Sequence, residues 1–271
     1  MLIVRKTPMP KIKLNNIQLY YEVHGQGVPL LLIAGLGCDS QSWQPIINEL
    51  APHFQTVIFD NRGAGRSDIP ELPYSIRDMA DDTLKLLDHL NVRSTHILGY
   101  SMGGYIAQEF AISYPERVNK LILESTAPLS STRNNILFEN LLKWRLDGMD
   151  MASWIRAWSF WLFAQQRFED SGFMDAYIKG ALEYPYPQAI GAFKGQIEAM
   201  AAHNTSGGLK KIQAETLVIE GQKDILILPE EAETLAKGIP KCSWLVMENA
   251  AHSVHVEKPQ AFIRAVLDFL S

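Results

Sequence analysis

Cysteine is scarce: two occur in 271 residues, Cys38 and Cys242. They lie too far apart in sequence to suggest a metal or redox cluster, and two are too few for a disulfide scaffold. Such usage suits a reducing compartment, and both are expected to be small buried residues. Long apolar runs are missing as well. No stretch approaches the ~20 residues of a membrane span. The opening MLIVRKTPMPK loses its apolar character after three or four residues and offers no small-residue cleavage site, so it does not read as a signal peptide. An excess of one charge is also lacking. Twenty-five Lys and Arg face 30 Asp and Glu, a net of −5, with no basic block to meet nucleic acid or a membrane surface. Internal repeats and low-complexity segments are absent. These absences leave a soluble, cytoplasmic protein as the expectation, monomer or homodimer, with neither nucleic acid nor a membrane as partner. What is present is apolar content of 47%, enough for one sizeable core or a core with a small lid.

Short β-rich runs alternate with helical patterns through the first half. Ile17–Val23 reads as a strand. Leu30–Ile33, Thr56–Phe59, Thr95–Leu98 and Leu121–Leu123 are nearly continuous apolar runs, the pattern of strands buried on both faces. Between them, Ile76–Leu90 repeats its apolar residues at helical spacing, and a further helix runs from Met102 to about Ser113, ahead of Pro115. This order predicts an α/β fold: a mostly parallel sheet with helices on both faces. The pattern changes after Pro128. Residues 129–208 hold helical segments rich in large aromatics but no convincing buried strand. Alternation then resumes with Thr216–Ile219, a helix at Pro229–Lys237, a strand at Trp244–Met247 and a closing helix at Phe262–Phe269. The expected organisation is a core of 1–128 and 209–271 interrupted by a helical cap of 129–208.

Gly99-Tyr-Ser-Met-Gly103 falls between a predicted strand and a predicted helix. A G-x-S-x-G sequence in that context makes a sharp turn that exposes the serine, and its glycines let strand and helix pass closely. Ser101 is therefore the candidate nucleophile. A hydroxyl needs an adjacent base. Where such a turn carries a nucleophile, an acid and then a histidine follow it in the chain on loops past strand ends. His252 lies five residues after Met247, with His255 as the alternative. Asp224 follows the Thr216–Ile219 strand, with Glu124 as the alternative. The acid would accept the imidazole N–H and fix its tautomer. Oxyanion donors are expected from the backbone N–H groups of Met102 and of Leu36, the latter in the loop Ala34-Gly-Leu-Gly37. Asp60-Asn-Arg-Gly-Ala-Gly-Arg-Ser67 reads as a hydrogen-bonded structural turn. In the cap, Trp144, Trp154, Trp158 and Trp161 are candidates for an apolar substrate pocket. Arg133, Arg145, Arg156 and Arg167 are candidates for meeting a substrate carboxylate. No metal ligand set and no cofactor are expected.

Together these motifs resemble the α/β-hydrolase superfamily. The likeness adds Tyr114-Pro-Glu-Arg-Val118 and the Glu257-Lys-Pro259 that follows His252, and it runs from about residue 16 to the C-terminus. It implies the α/β-hydrolase fold and a serine-hydrolase triad. It also favours His252 over His255, because relatives place the histidine five residues before that glutamate. Ala34 departs from the pattern where many relatives carry histidine, and Ala251 departs where glycine is usual. Serine rather than aspartate at position 101 argues against haloalkane dehalogenases and epoxide hydrolases. The finer likeness is to 3-oxoadipate enol-lactonases and carboxylesterases, which implies cleavage of a carboxylic ester or lactone through an acyl-enzyme. Carbon–carbon bond or thioester hydrolysis by the same triad is the alternative. A non-catalytic small-molecule receptor is the reading from another class.

Overall fold

Side chains of adjacent residues in the central strands go to opposite cores. Leu31, Ile33, Val57, Phe59, Leu121 and Leu123 pack on one face of the sheet, and Leu30, Leu32, Ile58, Leu98, Ile122 and Ile219 pack on the other. Period-two geometry turns a continuous apolar run into two buried faces, which is why these segments show no polar alternation. The computed structural model describes residues 10–14 and 16–271. The segment from Met1 to Met9, read above as lacking a signal sequence, lies outside the described residues.

The strands are β1 (Lys11–Leu14), β2 (Ile17–His24), β3 (Val28–Ile33), β4 (Phe54–Phe59), β5 (Thr95–Tyr100), β6 (Val118–Glu124), β7 (Glu215–Gly221) and β8 (Cys242–Met247). They form one sheet in the order β1-β2-β4-β3-β5-β6-β7-β8. β1 and β2 pair antiparallel, β2 meets β4 antiparallel, and every later pairing is parallel. The helices are α1 (Gln44–Leu50), α2 (Ile76–His89), α3 (Met102–Ser113), α4 (Thr132–Leu146), α5 (Met151–Leu162), α6 (Gln165–Glu169), α7 (Ser171–Glu183), α8 (Ile190–Ala201), α9 (Pro229–Gly238), α10 (Val254–Glu257) and α11 (Pro259–Leu270). Helices α2, α3 and α9 cover the first face; α1 and α11 cover the second.

Short elements go beyond the sequence reading, α10 among them. β1 is a four-residue edge strand of alternating Lys and apolar residues, too short to stand out, and only its Leu14 is buried. α1 spans seven residues and begins beside Pro45, which suits a first helical turn.

Helices α4 to α8 all lie between β6 and β7. The two ends of this insertion meet at its base. Leu129 bridges Asn204, and the Thr205 amide donates to the Pro128 carbonyl at 2.9 Å. Gln108 of α3 locks the junction, donating to the Ala127 carbonyl at 3.0 Å and accepting from the Thr205 hydroxyl at 2.6 Å. Among the described residues, no helix is long and apolar enough to cross a membrane.

Candidate active site

The turn between β5 and α3 forces an unusual backbone. Ser101 has φ 53° and ψ −116°, a conformation that costs a non-glycine residue of order 1–3 kcal/mol. The glycines around it answer to close contacts. A Cβ at Gly103 would stand 1.9 Å from the Ile33 carbonyl oxygen, and one at Gly99 would stand 2.4 Å from the Gly103 carbonyl oxygen. Only glycine permits α3 to cross β3 and β5 at that distance. The Ser101 amide donates to the Glu124 carbonyl at 2.9 Å, and the Thr126 hydroxyl donates to the Ser101 carbonyl at 2.9 Å, so the strained residue is held on both sides.

Past β8, the loop carrying His252 is drawn against the end of β7. A Cβ at Gly221 would lie 2.1 Å from the Ala251 carbonyl oxygen, and the Lys223 amide donates to the Ala250 carbonyl at 2.8 Å. The Glu257 carboxylate accepts the Ala251 amide at 2.6 Å and the Ala164 amide at 2.9 Å. It therefore ties the histidine loop to the segment after α5. In the sequence it is only a landmark, because the Ala164 amide it accepts comes from a distant part of the chain and nothing local marks its bond to Ala251.

These two loops bring His252 Nε2 to 2.9 Å from Ser101 Oγ and His252 Nδ1 to 2.8 Å from Asp224 Oδ2. The other Asp224 oxygen accepts the Leu226 and Ile227 amides at 2.7 and 3.0 Å. Imidazole and carboxylate are buried, with His252 only 1% exposed. Beside them, burial pushes the Glu220 carboxyl well above the usual carboxylate range, and the neighbouring Asp224 charge adds to the effect. Glu220 Oε1 accepts the Gly221 amide at 3.0 Å.

The two alternatives from the sequence are joined to each other. His255 Nδ1 lies 2.8 Å from Glu124 Oε1, and the His255 amide donates to the same oxygen at 2.9 Å. Tyr100 stands between the two imidazoles, its ring centre 5.3 Å from His252 and 4.8 Å from His255.

Leu36 and Met102 lie on the two backbone segments that flank Ser101. Met102 opens α3, where the first N–H groups have no intrahelical acceptor. Among the described residues, neither the Leu36 nor the Met102 amide has a hydrogen-bond acceptor. The Asp60–Ser67 segment is a hydrogen-bonded turn. Asp60 accepts the amides of Ser40 and Arg66 at 2.9 and 2.8 Å and pairs with the Arg66 guanidinium at 2.8 Å. Arg62 forms a two-point ion pair with Asp82 of α2 at 2.7 and 2.8 Å, and Asn61 donates to the Ala34 carbonyl at 3.0 Å.

Ser101 and His252 open on a cavity of about 510 Å³. Its walls come mostly from the insertion and include Phe138, Trp154, Trp158, Phe163 and Phe193. Two of the four candidate tryptophans are thus in the wall, and two are not. Trp144 is 37% exposed on α4, whose cavity face is set by Phe138 and Arg145, seven residues apart; Trp144 is rotated off that face. Trp161 is a half-buried residue packed against the main core. Of the four candidate arginines, Arg145 lines the cavity, while Arg133 and Arg167 donate to the backbone carbonyls of Leu226 and Glu257. Cys38 is half-buried in the cavity wall, and burial pushes its thiol up to about 12, which keeps it neutral. Among the described residues, no group of three or more His, Cys, Asp or Glu side chains is arranged to hold a metal ion.

Known proteins share this architecture. A protein of Azorhizobium caulinodans provisionally named carbamate hydrolase RutD is 30% identical over 267 residues, covering 96% of this chain and 98% of its own. A thermophilic esterase from Thermogutta terrifontis, solved with malate bound, superposes with a TM-score of 0.85 at 26% identity, over 96% of this chain and 98% of that one. An enol-lactonase from Burkholderia xenovorans LB400 shares the fold at a TM-score of 0.85 and 24% identity, over 96% of this chain and 99% of that one. The sequence profile of the alpha/beta hydrolase fold matches residues 28–259. A match that takes in the serine elbow, both flanking loops and the histidine loop makes this chain a member of the alpha/beta hydrolase fold family.

Proposed function

We propose that this hydrolase cleaves a carboxylic ester or lactone through an acyl-enzyme on Ser101, with the insertion at 129–208 acting as the cap that selects the substrate. The observation that carries this reading is the unbroken chain Ser101 Oγ to His252 Nε2 at 2.9 Å and His252 Nδ1 to Asp224 Oδ2 at 2.8 Å, at the floor of an apolar cavity. His252 takes the Ser101 proton as Oγ adds to the carbonyl carbon. The carbonyl oxygen becomes an oxyanion held by the Leu36 and Met102 N–H groups. Collapse expels the alkoxide, which takes the proton from His252. Water, deprotonated by His252, then attacks the acyl-enzyme and releases the acid. Asp224 holds the imidazole in the tautomer that leaves Nε2 free to accept, and it stabilises the imidazolium.

The RutD relative favours a second reading, in which the scissile carbonyl belongs to a carbamate. The same groups act, and the leaving or retained atom is nitrogen. A panel of matched esters, lactones, carbamates and thioesters separates these substrate classes. The reaction itself is tested with an activated nitrophenyl ester. A burst of nitrophenol is expected, together with labelling by a fluorophosphonate, and Ser101→Ala should lose both along with about 10⁴–10⁶ of turnover. A Ser101→Ala protein with near-normal rate refutes the nucleophile. Absence of both burst and labelling in the unaltered protein favours the non-catalytic receptor.

A further inference from the structure

Helix α8 belongs to the insertion, yet its Gln196 is fully buried against the core. Three hydrogen bonds use both ends of the carboxamide. Oε1 accepts the Gly37 amide at 3.2 Å and Gln188 Nε2 at 2.8 Å, while Nε2 donates to the Arg62 carbonyl at 3.1 Å. Gln188 Nε2 also reaches the Gly63 carbonyl at 2.9 Å. One side chain of the insertion is therefore bonded to the loop after β3 and to the turn after β4. The Tyr184 hydroxyl, also from the insertion, makes a second tie by donating to Asp39 Oδ2.

The loop after β3 carries Leu36. The Ala34 carbonyl, two residues earlier, accepts from Asn61 at 3.0 Å, and the Cys38 amide closes a turn onto the Gly35 carbonyl at 3.2 Å. Gly37 has φ +72°, a conformation that could swing the neighbouring peptides if nothing held its N–H. The group that holds it is Gln196. The other buried residues of α8 are apolar or glycine, so a fully satisfied amide there serves the core loops rather than the helix packing.

We propose that Gln196 is a positioning residue for the oxyanion loop: by holding the Gly37 peptide it aims the Leu36 N–H at the oxygen that develops charge. The insertion thereby sets the geometry of a hole built on the core. This rests on the reading of Leu36 as an oxyanion donor.

The test uses Gln196→Met, which keeps the volume and removes both polar ends. Four quantities are measured: kcat and KM for a nitrophenyl ester, affinity for a trifluoromethyl ketone, and affinity for the acid product. In the ketone adduct Ser101 Oγ bonds to the carbonyl carbon, the Ser101 proton passes to His252, and the ketone oxygen becomes the oxyanion. Inhibitor affinity thus reads the donors directly. A misaimed donor is expected to cost about 10–100-fold in kcat and a like factor in ketone affinity, with KM and product affinity within about twofold. Gln196→Glu keeps an acceptor for Gly37 and should recover part of the loss. Melting temperatures of both variants are recorded alongside. Unchanged kcat and ketone affinity in folded Gln196→Met overturn the proposal, as do ketone and product affinities that fall together. If Gln196→Met does not fold, Gln196→Leu, which also lacks an acceptor for Gly37, carries the same comparison, and values equal to the unaltered protein overturn it. Failure of the unaltered protein to turn over ester or bind ketone would instead sink the serine-hydrolase reading.

Discussion

His252 and His255 sit three residues apart, and each places Nδ1 at 2.8 Å from a buried carboxylate, Asp224 in one case and Glu124 in the other. Each is 1% exposed. The difference lies on the far side of each ring. His252 presents Nε2 to a hydroxyl at 2.9 Å. His255 is packed among aromatic rings, with Trp43 at 5.0 Å, Tyr100 at 4.8 Å and Phe262 at 6.0 Å between centres. Glu124 also accepts the His255 amide, so this pair pins the loop to the end of β6. An imidazole–carboxylate pair is thus a structural part that becomes a candidate base only where a nucleophile meets its second nitrogen. Side-chain chemistry alone does not separate the two.

The strongest way to break this contrast is Asp224→Asn. It leaves the packing in place but permits the wrong imidazole tautomer, and kcat should fall by about 10⁴-fold in a single-turnover assay. A fall of less than tenfold would mean that Asp224 does not set the tautomer. His255→Leu sharpens the contrast from the other side. Turnover per folded molecule should stay within about tenfold. Stability to urea should drop by about 3–5 kcal/mol, because Glu124 loses its partner while buried. Adding Glu124→Leu should return part of that stability. A loss of turnover matching that of Asp224→Asn would show that both pairs serve the chemistry.

The smallest effect concerns a third histidine, outside both pairs. His203 follows α8 at the base of the insertion and packs against Tyr105 of the core, and burial lowers it to about 4, with Glu109 acting weakly the other way. The folded state prefers it neutral. The unfolded chain takes up its proton first as pH falls below the ordinary histidine value of about 6.5, so this group's share of stability is present above that pH and is lost between about 6.5 and 4. Raised carboxyls such as Glu257 act in the opposite sense, since their folded forms hold the proton longer. Comparing His203→Leu with the unaltered chain isolates the histidine. Its melting temperature should fall less between pH 7 and pH 5, with turnover unchanged at pH 7. An identical pH slope in the two proteins would refute the assignment.

The core was legible because its signals are local. Four apolar runs, each ending in a loop, mark β3 to β6, and Gly99, Ser101 and Gly103 mark the elbow by their spacing between a strand pattern and a helix pattern. The insertion was legible only as helical. Whether Trp144 or Trp158 faces the cavity depends on how α4 and α5 are rotated against each other, which a helical repeat does not encode. Gln196 left no signal, since its partners Gly37 and Arg62 lie far off in the chain and a lone glutamine in an amphipathic helix reads as surface. The pairing of Glu124 with His255 was hidden for the same reason. In the sequence both are candidates for catalytic roles, and the contact between them spans separate elements.

The junction at Leu129 and Asn204 has a consequence for how such a chain can diversify. Because the excursion between Leu129 and Asn204 starts and ends as hydrogen-bonded neighbours beyond β6 and before β7, the sheet's closure does not depend on the contents of the excursion. Chain-closure entropy changes only slowly with the length between two such fixed points. A roof of another size or shape can be grafted onto the same two posts, provided it brings its own prop for the loop at Gly37.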